Sequence, residues 1–427
     1  MRRVIKFGGT SIASPELLRE GARHVARLVE YGEQIAVVVS APGNLTSELL
    51  GAIYAVADGT AAHQPETLSF ADTCAFLALG EEQSVHLMTA ALRSYGLSAR
   101  GFLPRETDTW PIIADVEDVS PLATAKINEE RPFKLRTQQT VSRFSRFVLP
   151  ELRVGTVPVI SGFFAVDSAG KVVALGRGGS DITAFIVASQ ISADEVVIVT
   201  DVRGVLSADP RLAENPRLLE QLAAADLEMI AGAGARVLHP RALKFKTEYM
   251  GVRLMDYREL DKLEESGTSV LGKSETTLYR NPVELSMLTV MGKRGEPSKL
   301  PGAVMEWVSR HEIDLAGSSS NDRFTCLYLP SSEADKVYSG LHAALYGDFA
   351  DLTNLSLRGG LGEIRLRSAR FIDEPGVLAE ITGMLANARI PVAELLTGLT
   401  DISVFIPFTE LDRAEVLLRR VLDSFPG

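Results

Sequence analysis

Two short glycine-rich stretches contain the residue types that bind and transfer anionic groups. In the first, Lys6 lies within the mainly apolar run Val4–Phe7, and Gly8 and Gly9 directly follow this run. Glycines let the backbone turn sharply and bring N–H groups close to an anion, and a lysine ammonium can stabilise a phosphoryl group in transfer. The pattern G-x-x-x-x-G-K-[ST] does not occur in the sequence, so the predicted phosphate site is not a P-loop.

The second stretch, Gly176–Asp181, reads Gly-Arg-Gly-Gly-Ser-Asp and follows the apolar run Val172–Leu175. It ends a predicted strand and opens a predicted helix, whose free N–H groups and dipole favour an anion. Arg177 can hold a carboxylate through two parallel hydrogen bonds. Asp181 could cap the helix or orient a catalytic lysine. The simpler alternative is an ordinary capped helix start.

A third motif follows the apolar run Val196–Val199. Thr200 and Asp201 end this predicted strand, and Ala208–Arg211 lies shortly after it. An acid at the carboxyl end of a buried strand is placed to meet a nucleotide or magnesium, and Arg211 could meet phosphate. The alternative is a solvated turn with a surface ion pair, which would contribute little.

The elements that must position these motifs read as alternating strands and helices. Ser14 and Pro15 are typical of a helix start, and apolar residues then recur at helical spacing. The continuous apolar run Ile35–Val39 is typical of a strand buried on both faces, which favours a parallel sheet covered by helices. We therefore predict an α/β fold, with the motifs at the carboxyl edge of a mainly parallel central sheet, where ligands bind in such folds.

The pattern changes after about residue 265. Two copies of a strand–helix–strand pattern follow, with second strands predicted at Ile313–Leu315 and Ile390–Val392. Repeats of this size suggest ferredoxin-like α+β modules. The sequence thus predicts one domain over 1–265 and a pair of modules over 275–427, divided near 285–357 and 358–427, with interleaving of the two left open.

Composition excludes several classes of protein. The net charge is −11, from 44 Lys plus Arg against 55 Asp plus Glu, which argues against a nucleic-acid binder. Apolar runs are of strand length, so we expect no membrane span, and we see no signal peptide. Two distant cysteines and six scattered histidines show no zinc-ligand spacing. These features favour a cytoplasmic protein with reduced thiols.

Taken together, these motifs resemble those of aspartate kinases. The three stretches and Val237–Pro240 (Val-Leu-His-Pro) occur in the same order in that family. Residues 1 to about 265 resemble its amino-acid-kinase domain, and the remainder resembles its tandem ACT regulatory domains. The resemblance implies transfer of the γ-phosphoryl group of ATP, with Mg²⁺, to the β-carboxylate of L-aspartate. It also implies the first step of lysine, threonine and methionine biosynthesis, feedback regulation by an amino acid bound at the ACT domains (lysine, threonine or methionine), and a homodimer or larger assembly.

The resemblance also implies residue roles. The catalytic residues would be Lys6, Asp181 and Arg236. The substrate-binding residues would be Ser40, Thr46, Glu81, Phe163, Arg177 and Ser180. The nucleotide-binding residues would be Gly8, Gly9, Thr10, Ser11, Thr200, Asp201, Leu206, Asp209, Arg211 and Arg236. The effector-binding residues would be Asp314 and Ser319, which match positions that contact lysine in lysine-inhibited members.

The sequence departs from the family at several positions. Arg236 stands where Lys is common, Leu206 where Tyr is usual, and Pro301-Gly302 falls about one helical turn later than the family's glycine. The first two differences bear on nucleotide affinity more than on reaction type. Two alternatives stay open. The first is a kinase for another amino acid or for an N-acylated amino acid, and the acylated substrate would not need Glu81 as a partner because it has no free amino group. The second is an amino-acid-sensing subunit with weak catalysis.

Overall fold

The structure is a computed structural model, and it divides the chain into two compact units, Met1–Ser274 and Glu275–Gly427. The residues it describes are 1–57, 69–116, 127, 129, 131–235, 238–273, 276–293, 299–346, 352–368, 371 and 376–424.

The first unit is built on an eight-stranded sheet. Its strands are β1 Arg2–Phe7, β2 Gln34–Val39, β3 Ala99–Phe102, β6 Val157–Ser161, β9 Glu195–Thr200, β10 Gln221–Ala223, β11 Gly251–Asp256 and β12 Thr268–Leu271. They lie in the order β10-β12-β11-β9-β1-β2-β6-β3. The six strands from β11 to β3 are parallel, β12 runs antiparallel to β11, and β10 is parallel to β12. Two two-stranded sheets add β4 Ala114–Val116 with β5 Phe133–Leu135, and β7 Phe164–Val166 with β8 Val172–Ala174.

Helices cover both faces of this sheet. They are α1 Pro15–Glu30, α2 Leu45–Ala57, α3 Phe70–Ser94, α4 Thr137–Arg143, α5 Leu149–Arg153, α6 Gly179–Ile191, α7 Ala224–Gly232 and α8 Pro240–Leu243. A π-helical turn, Phe144–Val148, joins α4 to α5, and 3-10 turns occupy Gly9–Ile12 and Tyr257–Lys262. Alternate strand residues enter two separate cores: Val38 packs into one and Val37 into the other. The predicted parallel, doubly covered α/β sheet is therefore confirmed.

Local signals explain where these elements begin. The Ser14 hydroxyl accepts a hydrogen bond from the backbone N–H of Leu17 (3.3 Å), and Pro15 occupies the first position of α1, as its fixed φ favours. The helix then buries Ala22 and Val25 against the sheet. All residues of β2 after Gln34 are buried, which matches the continuous apolar run in the sequence.

Strand register brings the predicted motifs into one row. Phe7 pairs with Val39 on one side and Val199 on the other, Val39 pairs with Ser161, and Thr200 pairs with Asp256. Because these strands are parallel, their carboxyl ends meet at a single edge. The loops after β1, β2, β6 and β9 therefore all leave the sheet at that edge.

The second unit is a seven-stranded antiparallel arrangement of two modules that share a strand. The strands are β13 Thr277–Arg280, β14 Leu285–Gly292, β15 Gly317–Ser320, β16 Phe324–Pro330, β17 Leu352–Arg367, β18 Glu394–Thr397 and β19 Asp401–Pro407. The helices are α9 Leu300–Arg310, α10 Ala334–Leu345, α11 Val377–Asn387 and α12 Leu411–Ser424, and a 3-10 turn spans Phe408–Glu410.

The long strand β17 joins the two modules. Its first half pairs with β14 and its second half with β19 and β13, giving the strand orders β15-β16-β14-β17 and β18-β19-β17-β13. Each module has its own helix-covered core, and a third cluster, with Tyr328 stacked on Phe405 (3.6 Å between ring centroids), packs one sheet on the other. The predicted ACT-like α+β modules are confirmed, and β13, which precedes the first module in sequence, pairs within the second.

Two strands begin later than predicted. Ile313 and Ile390 donate their N–H groups to Val308 and Leu385, at the ends of the preceding helices, while Glu312 and Arg389 adopt positive φ. This is the hydrogen-bonding pattern of a Schellman helix end, and its apolar residue packs back onto the helix. The predictions of strands at 313–315 and 390–392 were therefore wrong, and β15 and β18 start after these helix ends.

None of the helices in the described residues combines the length and apolar composition that crossing a bilayer requires.

Candidate active site

Lys6 and Asp181 form an ion pair at the carboxyl edge of the large sheet. The Lys6 Nζ lies 2.7 Å from Asp181 Oδ1, and the side chains are 12% and 14% exposed. Lys6 is the penultimate residue of β1, and Asp181 lies in the first turn of α6. The other Asp181 oxygen accepts a weak hydrogen bond from the backbone N–H of His239 (3.4 Å). The carboxylate thus fixes the direction of a half-buried ammonium group.

The turn after β1 presents backbone N–H groups beside this lysine. The Gly8 N–H (3.1 Å) and the Ser11 hydroxyl (3.2 Å) both donate to the carbonyl of Val199, which ties the turn to β9. The 3-10 turn begins at Gly9, so the N–H groups of Gly9 and Thr10 have no acceptor within it. Such amides next to a lysine can bind an anion.

The loop after β2 lies against this turn. The Gly43 N–H donates to the Gly9 carbonyl (2.9 Å), and the Ser40 N–H donates to the Phe7 carbonyl (3.2 Å). A Cβ at Gly9 would come within 2.6 Å of the Ala41 carbonyl oxygen, so only glycine fits this approach. Ser40 is half-buried here, and Thr46 is half-buried in the first turn of α2.

Glu81 supplies a buried carboxylate from α3. Its side chain is 3% exposed, and Oε2 has no hydrogen-bond partner among the described residues. Burial raises the pKa of Glu81 to about 8, and a backbone hydrogen bond from Ala41 only partly opposes this. Gly80 lies against Ala41 and Leu45, so α3 packs closely on the loop after β2. A buried acid with an unsatisfied oxygen is suited to a cationic group.

The turn after β6 meets the start of α6. The Gly162 N–H donates to the Val39 carbonyl (2.8 Å), and a Cβ at Gly162 would lie 2.7 Å from the Ser180 hydroxyl. Phe163 adopts φ 71°, which is rare for a residue other than glycine and costs roughly 1–3 kcal/mol. A Cβ at Gly179 would likewise lie 2.8 Å from the Phe163 ring, so the turn that contains Phe163 packs on the start of α6 beside Ser180.

Arg177 lies at the open side of the loop before α6. Its side chain is exposed, its backbone N–H donates to the Glu129 carbonyl (3.0 Å), and its guanidinium makes no hydrogen bond or ion pair within the described residues. Gly178 has φ 72°, and a Cβ there would clash with His239 at 2.2 Å. The guanidinium is thus available to a carboxylate ligand.

These features were compared with known proteins. A model of the amino acid kinase family matches residues 1–256. The chain belongs to the amino acid kinase family. It is 27% identical to the aspartokinase of Bacillus sp. (strain MGA3) over 432 residues, covering 98% of this chain and 97% of that protein. The resemblance to aspartate kinases predicted from the motifs is thereby confirmed.

Solved structures show the same fold. The aspartate kinase of Synechocystis superposes with a TM-score of 0.72 at 21% identity, covering 98% of this chain and 69% of that chain. E. coli aspartokinase III in complex with aspartate and ADP superposes with a TM-score of 0.53 at 21% identity, covering 99% of this chain and 100% of that chain. Its complex with lysine and aspartate gives a TM-score of 0.51, at 21% identity and with coverage of 98% and 99%.

Within this amino acid kinase fold, a second group of predicted nucleotide residues lies at the end of β9 and in the loop after it. The Thr200 hydroxyl donates to Asp201 Oδ1 (3.2 Å), and Leu206 is half-buried in a bridge with Leu218. Arg211 donates its Nε and Nη2 to Asp209 (3.0 and 2.6 Å) on an exposed loop. In the described part of the chain, no hydrogen bond or ion pair joins Arg211 to Lys6 or Asp181.

The sequence reading missed an ion pair beside Asp201. Arg258 donates both Nε (2.8 Å) and Nη2 to the buried Asp256 at the end of β11, and it also donates to the Asp201 carbonyl (3.3 Å). Burial alone would raise the pKa of Asp256, but these hydrogen bonds from Arg258 lower it. An acid at a strand end followed by an arginine two residues later was a signal that could have identified this pair.

Three further predicted residues lie outside the described residues or in the second unit. Arg236, predicted to be catalytic and nucleotide-binding, lies outside the described residues, as does Val237. In the second unit, Asp314 is exposed and lines a cavity of about 520 Å³. Ser319 is not part of that cavity lining, and its hydroxyl donates to Glu394 Oε1 (2.7 Å).

Among the described residues, one group of side chains has the spacing of metal ligands. Atoms of Glu20, His24 and Asp261 lie within 4.8 Å of one another. Arg23 pairs with both carboxylates, and Arg27 pairs with Asp261. The negative charge is therefore already compensated by protein cations.

Proposed function

We propose that this protein is an ATP-dependent aspartate kinase that forms 4-phospho-L-aspartate and ADP. The observation that carries the proposal is the Lys6–Asp181 ion pair at the sheet edge where two glycine turns meet. The full-length similarity to aspartokinases supports the choice of substrate.

The site suits the joining of two anions. The β-carboxylate of aspartate has a reference pKa near 3.9, so it is already ionised at neutral pH and needs no general base. The difficulty is the repulsion between that carboxylate and a nucleotide polyphosphate. Lys6 and the N–H groups of Gly9 and Thr10 would offset this repulsion and stabilise charge on the transferred group.

The nucleotide would lie on the β9 side of this edge. Thr200 and Asp201 would contact ATP from the end of β9, and Asp209 and Arg211 from the following loop. Asp201 is exposed and carries a carboxylate suited to a hydrated Mg²⁺. Mg²⁺ bound with ATP would supply positive charge that offsets the negative charge of the polyphosphate.

Aspartate would be held on the opposite side of Lys6. Glu81 would bind the α-ammonium group, and Arg177 with Ser180 would bind the α-carboxylate beside Phe163. Ser40 and Thr46 would complete the pocket from the loop after β2. The burial of Glu81 and its unsatisfied oxygen favour a free amino group over an acylated one, because only the former brings a positive charge.

Regulation by an amino acid is part of the proposal. The second unit carries two ACT-like modules, and E. coli aspartokinase III has been solved with lysine. Lysine, threonine or methionine bound near Asp314 would regulate the kinase, as expected for the first step of the pathway to these amino acids. Assembly as a homodimer or larger oligomer is proposed on the same resemblance.

A substrate panel tests this proposal. ADP release would be measured with L-aspartate, N-acetyl-L-aspartate, L-glutamate and N-acetyl-L-glutamate, each with and without lysine, threonine and methionine. We expect turnover with L-aspartate alone among the four. Preferential use of an acylated amino acid would assign the protein to another branch of the family, and inhibition by one of the three amino acids would identify the effector.

A further inference from the structure

A second buried carboxylate follows Glu81 on α3. Glu82 is 2% exposed, and neither of its oxygens accepts a well-aligned hydrogen bond from the described residues. Its close charged partner is Arg105, whose Nη2 lies 2.7 Å from Glu82 Oε2. Glu82 is thus a buried acid held by one cation, directly next to Glu81, whose Oε2 has no hydrogen-bond partner among the described residues.

The two carboxylates cannot serve the same ligand atom. Consecutive helix residues point about 100° apart, so Glu82 faces away from the group that Glu81 faces. Glu82 instead faces the loop after β3, where Arg105 is 57% exposed and reaches back to it. Glu82 can therefore affect a ligand of Glu81 only through its charge.

The other charged groups near this pair are few. Within the described part of the chain, His86, one helical turn after Glu82, and Glu106, next to Arg105, also act on Glu82. On the other side, Gly80 packs on Ala41, Leu45 and Leu49, which bring no charge. Glu82 is the charged neighbour that acts on Glu81, and its negative charge raises the pKa of Glu81 beyond the effect of burial.

We propose that Glu82 and Arg105 are positioning residues of the amino-group site, in which Arg105 neutralises Glu82 and so lets Glu81 carry the negative charge that binds the ammonium group of aspartate. This inference rests on the proposed function, because it takes Glu81 as the partner of the substrate's amino group. Without Arg105, the bare charge of Glu82 would keep a proton on Glu81. Without Glu82, Glu81 would ionise more readily.

Substitutions of Glu82 and of Arg105 should have opposite effects on the pH dependence of the KM for aspartate. The KM for aspartate should fall as pH rises through the value at which Glu81 ionises, while the substrate's amino group stays protonated. Glu82→Gln should move this midpoint down by about one pH unit, because a like charge is removed. Arg105→Met should move it up by about the same amount, and Arg105→Lys should restore the wild-type midpoint.

The test is the KM for aspartate between about pH 6 and 9 for wild type and these variants, with thermal melting to check folding. The double variant Glu82→Gln/Arg105→Met should match Glu82→Gln alone, since Arg105 acts through Glu82. Arg100→Met is the matched control: Arg100 lies on β3 and pairs with Glu151 at 2.6 Å, away from Glu81. Its midpoint should equal that of wild type.

The outcomes separate two failures. Aspartate-dependent ADP release with coincident midpoints for Glu82→Gln, Arg105→Met and wild type would overturn the positioning role alone. An additive double variant would also overturn it, because Arg105 would then act directly. The absence of aspartate-dependent ADP release from folded wild-type protein would overturn the proposed function and this inference with it.

Discussion

Lys6 Nζ lies 2.7 Å from Asp181 Oδ1, although the two residues are far apart in sequence and sit on different elements. The pair joins the end of β1 to the start of α6, between the two glycine turns. An ammonium fixed by a carboxylate is pre-oriented for charge that develops in a transition state.

Removal of the Lys6 ammonium group should lower the turnover rate. We expect Lys6→Ala to lower kcat by roughly 10²–10³-fold, the usual cost of losing one preorganised charge, with folding unchanged. Steady-state ADP release measures this. Lys171→Ala, at an exposed position of the hairpin between β7 and β8, is the control and should keep wild-type kcat. Near-normal turnover of Lys6→Ala would remove this residue from the catalytic site.

Arg177 should act on aspartate affinity. Arg177→Ala should raise the KM for aspartate by about 10–100-fold, because a charged hydrogen-bonded contact contributes roughly 1.5–3 kcal/mol. Arg177→Lys should recover only part of the loss, since a lysine lacks the planar fork. Titration of aspartate at saturating ATP measures both. An unchanged KM in Arg177→Ala would place the substrate elsewhere.

Burial of Glu81 should make stability depend on pH. Its pKa is about 8 in the folded protein, against an ordinary value of 4.5 for a glutamate carboxyl group. Between these values the folded state keeps a proton that the unfolded state has lost, so stability from this group falls as pH rises through the window and levels off above it. Glu81→Gln should remove this loss and be more stable than wild type at about pH 8, by a few kcal/mol at most.

Urea unfolding of Glu81→Gln and wild type at several pH values checks whether stability falls as pH rises, as predicted. Parallel stability curves for the two proteins across the window would show that Glu81 is already ionised in the folded state.

A buried ion-pair network at the opposite end of β1 should contribute to stability and not to catalysis. Arg3 is 2% exposed and contacts Glu33 (2.6 Å), Glu195 (2.8 Å) and Glu264. Arg3→Met would remove the cation of Glu33 from a nearly buried site and leave Glu195 with Arg253 (3.3 Å), so we expect a loss of about 3 kcal/mol in the free energy of unfolding. Arg100→Met removes a more exposed pair and should cost less than about 1 kcal/mol. Equal losses in urea unfolding would contradict the network's role.

Local signals predicted much of this molecule from sequence. The apolar run before Gly8 and the Gly-rich turn before Asp181 are short-range patterns, and their strand and helix are where the sequence indicates. Parallel topology then brings their ends together without further information. The predicted catalytic role of Arg236 stays a prediction, since the residue lies outside the described structure.

Other features depend on tertiary contacts that a single sequence does not encode locally. The N–H of His239 reaches Asp181 only because Gly178 gives it room. Phe163 adopts positive φ at a point where Gly179 packs directly against it, and this contact joins residues 16 positions apart. The late start of β18 follows from the helix end at Ile390, where a backbone hydrogen bond outweighs the apolar pattern.

Trapping of the product tests the central claim most directly. Wild-type protein with ATP, Mg²⁺ and L-aspartate would be treated with hydroxylamine, and the hydroxamate identified by mass spectrometry against both isomeric standards. The account predicts aspartate β-hydroxamate in amounts that match the ADP released, and roughly 10²–10³-fold less of it per unit time from Lys6→Ala. ADP release without any aspartyl hydroxamate, or the α-isomer in its place, would contradict it.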